Sequence, residues 1–417
     1  MKKDKILKLF VRSIFLVIMA CAVVFGNVKY NRYYQKKSRG KKLKGNRISE
    51  CSVKLWYCDE SLKNYLKHVK RAYESNHNVK ISLDYVDKTE IFDKINDGNK
   101  KADGNTPDIY LFPAEKLETA YLGGMSKDVE IAEDDMQKLG EGAISAGTFD
   151  GELRAYPLLF EEPVFLTNKA YCSNEMKTFD DILAYAKEFD GQNYPAVTDI
   201  LKWDVKELQY NYAFVGQYLN YGGQFGDNAD EIDVSNQSVI NSLKYYNSLN
   251  AYFSTDINTV NYDSIVNDFN AGKIVFSMIN TRDLDRIKDV DYEVTRIPDM
   301  NMALKTRTLA FTTLLSVNPY GKSVLDDNSS KYVDEFVKYL VFDNADYVDK
   351  YSEYIPCCKC MDIDGANAIY DQYDASTGLP KFEYASGFYV QLEIAMGKVW
   401  EGKDINETVK EFENSIQ

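Results

Sequence analysis

Three segments of this chain combine aromatic and acidic residues in a way that could hold a small solute. They are Trp56-Tyr57-Cys58-Asp59-Glu60, Asn105-Thr106-Pro107-Asp108-Ile109-Tyr110 and Asp150-Gly151-Glu152-Leu153-Arg154-Ala155-Tyr156-Pro157. Each reads as a strand or hairpin ending in an aromatic and acidic tip. Aromatic faces stack on the apolar faces of a ring-shaped solute, and carboxylates accept hydrogen bonds from its hydroxyls. A chain that delivers such tips repeatedly to one edge builds a ligand cleft. Tyrosine occurs 32 times, which suits a wet, sugar-like interface, although many tyrosines must pack the interior whatever the function.

Catalysis finds little support. Two histidines, His68 and His77, leave almost no room for a histidine-based triad. Glu161 and Glu162 are adjacent, and neighbours on an extended strand point to opposite faces, so they would not flank one glycosidic bond. No phosphate-cradling loop is present. A non-enzymatic chain without a cofactor is expected. Of the seven cysteines, Cys357, Cys358 and Cys360 are clustered. Without a second pair they are not assigned a metal; a disulfide among them and unpaired thiols are both open readings.

The elements that must position these residues alternate strand and helix. Val53 to Tyr57 reads as a strand, and Leu62, Tyr65, Leu66, Val69 and Tyr73 recur at helical spacing behind Ser61. Val79, Ile81, Leu83 and Tyr85 alternate as a half-buried strand; a helix near 89–96 and a strand at Asp108–Phe112 follow. Such alternation predicts a mostly parallel sheet, whose ligands sit outside the carboxyl ends of its strands. Asp150-Gly151 signals a hairpin. Thr178-Phe179-Asp180-Asp181 resembles a capping box, Gly272 should end a helix before the strand Ile274–Ile279, and Asp404 should cap a last helix.

A chain of 417 residues suits two lobes, and 45% hydrophobic with 27% charged residues is a globular composition. The net charge of −14 is unevenly spread: the first 47 residues hold 14 of the 50 Lys/Arg and one of the 64 Asp/Glu. The acidic remainder argues against nucleic acid as a partner. Lys2, Lys3, Lys5, Lys8 and Arg12 precede the apolar run Ser13 to Gly26, so residues 1–28 read as a signal peptide or membrane anchor, and 29–50 as a basic flexible stem. Ile18-Met19-Ala20-Cys21 resembles a lipobox that would put a lipid on Cys21, while Ala20-Cys21-Ala22 also has the form of an ordinary cleavage site. Opposing export, nine basic residues follow the run and five precede it.

Thr106-Pro107-Asp108-Ile109, Gly151-to-Pro157 with Asn168-Lys169, Thr178-to-Asp181, Phe269-to-Lys273, Ile355-Pro356 and Trp400-Glu401-Gly402-Lys403 occur in an order and at spacings that together resemble the maltose-binding-protein-like extracellular solute-binding proteins of ABC importers. The resemblance runs from about Ser52 to the C-terminus. It implies two α/β lobes joined by a multi-strand hinge with a ligand cleft between them, the type 2 periplasmic-binding-protein fold. It places residues 51–160 plus 304–355 in lobe 1 and 163–298 plus 356–417 in lobe 2. By matching positions, ligand contacts would come from Tyr57, Asp59, Glu60, Phe112, Glu115 and Lys116, from the hinge-side Glu161, and from Tyr210, Tyr212, Arg282 and Tyr389. Where a sugar binder would show an aromatic platform, this chain has Asn280-Thr281-Arg282-Asp283, and Arg282 could instead clamp a carboxylate or phosphate. The implied protein is a monomer tethered to the outer face of the bacterial cytoplasmic membrane, carrying a saccharide to permease subunits. A tethered sensor, a binder of a charged solute such as a polyamine, and an envelope structural module are the alternatives.

Overall fold

Apolar residues that run on without polar alternation mark strands covered on both faces, and the central strands of this protein are of that kind. In the computed structural model, residues 51–101, 104–361, 363–382 and 385–416 are described; the expected leader, basic stem and lipidation of Cys21 lie outside them. In chain order the strands are β1 (Cys51–Tyr57), β2 (Val79–Tyr85), β3 (Ile109–Pro113), β4 (Thr148–Phe149), β5 (Glu152–Leu153), β6 (Tyr156–Glu161) and β7 (Pro163–Asn168). Then follow β8 (Asp199–Lys202), β9 (Asn220–Tyr221), β10 (Ile232–Asp233), β11 (Ile274–Asn280), β12 (Tyr292–Thr295), β13 (Phe311–Val317) and β14 (Ile355–Pro356).

Two sheets carry the architecture, one in the order β14-β6-β13-β3-β1-β2 and one in the order β12-β7-β11-β8. Strand parity sorts their side chains. Val53, Leu55, Tyr57, Ile109 and Leu111 pack on one face of the larger sheet, and Tyr110, Phe112 and Leu314 on the other, where Trp56 and Cys58 join them. In the smaller sheet Phe165 faces one core while Val164 and Leu166 face another.

The two-lobe α/β class expected from the sequence holds, but the sheets are mixed, not mostly parallel. β1 runs parallel to β2 and β3, the product of the strand-helix-strand units read above. β13 is antiparallel to both β3 and β6, and in the smaller sheet only β11 and β8 run parallel. The strand that returns from the second sheet enters the first between β3 and β6 in the opposite sense.

Local signals act as their chemistry dictates. Thr178 and Asp181 form the reciprocal capping box of the helix Phe179–Glu188, and Asp404 caps Ile405–Ser415 through the amide of Glu407. Asp150 and Gly151 both have positive φ, 53° and 73°, and turn β4 into β5, the geometry of a type I′ hairpin.

The sheets are joined where the chain crosses. β6 ends at Glu161 and β7 begins at Pro163, so Glu162 alone separates the sheets there. A second crossing leads through Thr308 to Ala310 into β13. A third, at Thr377, pairs with it: the Thr377 amide donates to Thr308 O at 2.9 Å and the Ala310 amide to Thr377 O at 2.8 Å. Glu162 is fully buried. Its Oε2 accepts from Thr308 Oγ1 at 3.2 Å, Gln372 Nε2 donates to the same hydroxyl at 2.7 Å, and Gln372 Oε1 accepts from the Ile297 amide at 2.7 Å. Glu162 Oε1 has no partner. Beyond the third crossing, Lys381 Nζ donates to the carbonyls of Ser145 and Thr148, both at 2.6 Å, tying the C-terminal segment to the end of the helix Glu141–Gly147.

Burial pushes the Glu162 carboxyl well above the usual carboxylate range, with Thr308 and Arg296 offsetting only part of the effect. A carboxyl raised in this way contributes stability that is complete below its unfolded pKa and is lost as pH rises through its folded one. The unfolding free energy of the protein minus that of Glu162→Gln should therefore fall as pH is raised above about 4.3. Other titrating groups cancel in the difference. Chemical denaturation of both proteins across the pH range checks this; a flat difference would mean that the carboxyl ionises freely in the hinge.

Candidate functional site

β1 and β3 end side by side, and the residues just past their carboxyl ends open onto a cavity of about 460 Å³ lined by Asp59, Glu60, Phe112, Glu115, Glu161 and Tyr354 among others. A second cavity, of about 390 Å³, lies at the carboxyl end of β11 and is lined by Glu161, Asp204, Glu207, Tyr210, Tyr262, Asn280, Arg282, Asp283 and Glu353 among others. Glu161 lines both.

The junction is built around Arg282. Asn280 ends β11 and caps the following turn, its Oδ1 accepting from the Arg282 amide at 2.9 Å. Its Nδ2 donates to Glu161 Oε2 at 3.1 Å and to Gln209 Oε1 at 3.0 Å. Arg282 Nη2 donates to Glu353 Oε2 at 3.0 Å, Nη1 lies 3.7 Å from Glu161 Oε1, and the guanidinium sits 4.5 Å from the centre of the Tyr354 ring. The fork that could, as an alternative, clamp a carboxylate or phosphate ligand is thus already engaged by two carboxylates of the protein itself. Burial raises the Glu161 carboxyl above its usual range, although Arg282 and Asn280 pull it back.

Two tyrosines line the smaller cavity near Arg282. Tyr210 stacks on Tyr262 with ring centres 5.4 Å apart and planes at 28°. Tyr262 Oη donates to Asp283 Oδ2 at 2.8 Å and accepts from the Asn280 amide at 3.0 Å. Tyr262 is the first residue of the helix Tyr262–Asn270, capped by Asn261; its place in the chain carries no sign of the cleft.

Of the residues named from sequence, Asp59, Glu60, Phe112, Glu115 and Glu161 line the larger cavity, and Glu161, Tyr210 and Arg282 the smaller. Phe112 is fully buried and contributes a core ring to the wall. Tyr57 and Tyr212 are in the core, not the cleft: Tyr57 shares the face of Val53 and Leu55 and meets Tyr85 edge-on, and Tyr212 packs among the residues beneath the smaller sheet. Lys116 and Tyr389 line neither of these two cavities; Tyr389 packs on Phe311, a residue of the larger one. Tyr354 and Glu353 were not anticipated, although they immediately precede the recognised Ile355-Pro356.

No disulfide joins the described cysteines. Cys357 is buried with Sγ 3.7 Å from Tyr373 Oη, so the disulfide left open among Cys357, Cys358 and Cys360 is not formed here. Among the described residues no group of three or more His, Cys, Asp or Glu is placed to hold a metal ion.

Asp59 reports on this geometry. Burial pushes its carboxyl up, but hydrogen bonds from Tyr354 Oη and from the Ser61 amide and hydroxyl hold it below the usual carboxylate range. Tyr354→Phe should raise the Asp59 pKa, read by carboxyl-carbon NMR titration; an unchanged value would place the Tyr354 hydroxyl elsewhere in solution.

Residues 69–357 match the family model of bacterial extracellular solute-binding proteins. A maltooligosaccharide ABC transporter solute-binding lipoprotein of Streptococcus pneumoniae is 28% identical over 204 residues, 46% of this chain and 45% of that protein; the chain thus spans about half the length of that relative. Among solved structures, an extracellular solute-binding protein from Staphylococcus aureus in complex with maltose aligns with a TM-score of 0.74 at 15% identity, covering 89% of this chain and 98% of the other. The maltose-binding periplasmic protein MalE from Listeria monocytogenes, also in complex with maltose, gives 0.70 at 17% identity, covering 88% and 97%. At such identities the structural likeness establishes the fold. With the family model matched over most of its length, the chain belongs to the bacterial extracellular solute-binding proteins.

Proposed function

We propose that this protein captures a saccharide between its two lobes and delivers it to an ABC importer at the outer face of the cytoplasmic membrane, without catalysing a reaction. The observation that carries this reading is the position of Glu161, which ends β6 at the first crossing and lines both cavities. A solute seated against it would be contacted from both sides only when the lobes approach, so binding selects the closed form. The Tyr210–Tyr262 stack and the surrounding carboxylates suit the faces and hydroxyls of a sugar. Maltooligosaccharide in the name of the pneumococcal relative and maltose in both aligned structures support the same substrate class. Lobe 1 would comprise 51–160 and 304–355, and lobe 2 163–298 and 356–417. The helix Ala366–Ala375 packs on both Glu141–Gly147 and β12. Cys21 lipidation or an uncleaved anchor would tether the protein.

Carboxylates outnumber cations in the cleft, and this favours a second reading. Asp59, Glu60, Asp87, Glu115, Glu161, Asp204, Glu207, Asp283 and Glu353 line the two cavities against Lys88 and Arg282. A solute bearing ammonium groups, an amino sugar or a polyamine, would be drawn there by charge, and its affinity would weaken with salt.

Thermal unfolding with maltooligosaccharides, amino sugars and polyamines separates the readings. A ligand at 100 times its Kd adds about 2.7 kcal/mol, a shift of a few degrees for a body this size. A salt-insensitive shift with a neutral saccharide, lost in Glu161→Ala and in Tyr210→Ala but kept in Tyr57→Phe, is the expected result. A shift confined to amino-bearing solutes and abolished by salt moves the substrate class. No shift with any of them defeats both readings.

A further inference from the structure

The segment after β14 contains a feature that solute binding does not use. Cys357 continues the strand, its amide donating to Leu158 O at 3.0 Å, and the chain then turns sharply. The Cys360 amide donates to Cys358 O at 2.8 Å, closing a three-residue turn over Lys359. The turn is held from three directions. Cys358 forms a bridge with Leu139, the Lys359 amide donates to Lys138 O at 2.8 Å, and Tyr370 Oη donates to Cys358 O at 2.9 Å. In that conformation the two thiols are near enough that Cys360 helps to hold the Cys358 thiol below its ordinary range. Closing an i,i+2 turn brings the two Cα atoms within the span a disulfide bridges. Cys357 takes no part, since its side chain points into the core against Tyr373.

We propose that Cys358 and Cys360 are a redox pair that closes into a disulfide by exchange with an external disulfide such as oxidised glutathione. Cys360 is half-buried and Cys358 almost fully buried, which sets the order of events. The Cys360 sulfur attacks the external disulfide, forming a mixed disulfide and releasing one thiol. The Cys358 sulfur then attacks Cys360 Sγ, forming the internal bond and releasing the second thiol. Two protein thiols are oxidised, one external disulfide is reduced, and the two thiol protons leave on the released thiols. Lys138, beside Cys358, favours its thiolate and stays in place once Cys360 is in the mixed disulfide, which suits the resolving nucleophile. So short a loop removes little unfolded-state entropy; bond occupancy, not thermal stability, is the quantity to measure.

The full chain is equilibrated with mixtures of oxidised and reduced glutathione, acid-quenched and alkylated, and its peptides are mapped by mass. The expected product is a Cys358–Cys360 disulfide that also forms in Cys357→Ser. Cys358→Ser should accumulate glutathione on Cys360, while Cys360→Ser should leave Cys358 largely unmodified. A Cys357–Cys358 bond, a lasting glutathione adduct on either residue of the unmutated protein, or both thiols remaining alkylatable at every ratio would each overturn the proposal. None of these outcomes depends on which solute the cleft takes.

Discussion

The constraint on which the rest of this structure depends is a one-residue passage between two sheets. Glu162 precedes Pro163, and a residue before proline is biased toward extended backbone. Pro163 also brings no amide hydrogen that the crossing would have to satisfy. The chain therefore runs from β6 into β7 without a turn, and strand parity sends Glu161 and Glu162 to opposite sides. Glu161 faces the cavities. Glu162 faces the buried hinge, where Thr308 donates to its carboxyl and Gln372 braces Thr308. That network gathers the residues of the first two crossings, and backbone pairing at Thr377 adds the third.

The cleft follows from the same geometry. Arg282, Glu161, Glu353 and Tyr354 come from three separate parts of the chain and meet at one point. Each ion pair is partly exposed and contributes little stability by itself. Their shared effect is on polarity: the guanidinium is engaged by internal carboxylates, and the smaller cavity around it is lined by tyrosine rings and acidic side chains. A lone arginine in the same motif would have suggested an anionic ligand, and the neighbouring acids reverse that inference.

What could be read from the chain was what depends on near neighbours. The capping box at Thr178, the Asp404 cap and the Asp150-Gly151 turn are local hydrogen-bond and φ requirements, and each is met. Strand direction was harder, because β13 enters the larger sheet only after the chain has visited the other one. Tyr57 is instructive: counting by twos from Val53 puts it on the core face, so its burial was legible and its place at a strand end was misleading. Tyr212, buried beneath the smaller sheet, and Tyr262, stacked on Tyr210, owe their surroundings to contacts distant in the chain.

Two buried ionisable side chains sit where the halves are tied together, and they bear on stability in opposite senses. Glu162 is held above its ordinary range by burial, so its contribution declines as pH rises. Lys381 is pushed down to about 7 by burial, with Asp227 offsetting part of the effect, so its contribution grows as pH rises from there toward its unfolded value. Burial thus works against the charged form of each side chain, while neighbouring hydroxyl and carbonyl groups orient it. What the polar pair supplies is direction: Thr308 Oγ1 for the carboxyl, and two carbonyls at the end of one helix for the ammonium, each fixing how one crossing segment lies against the next.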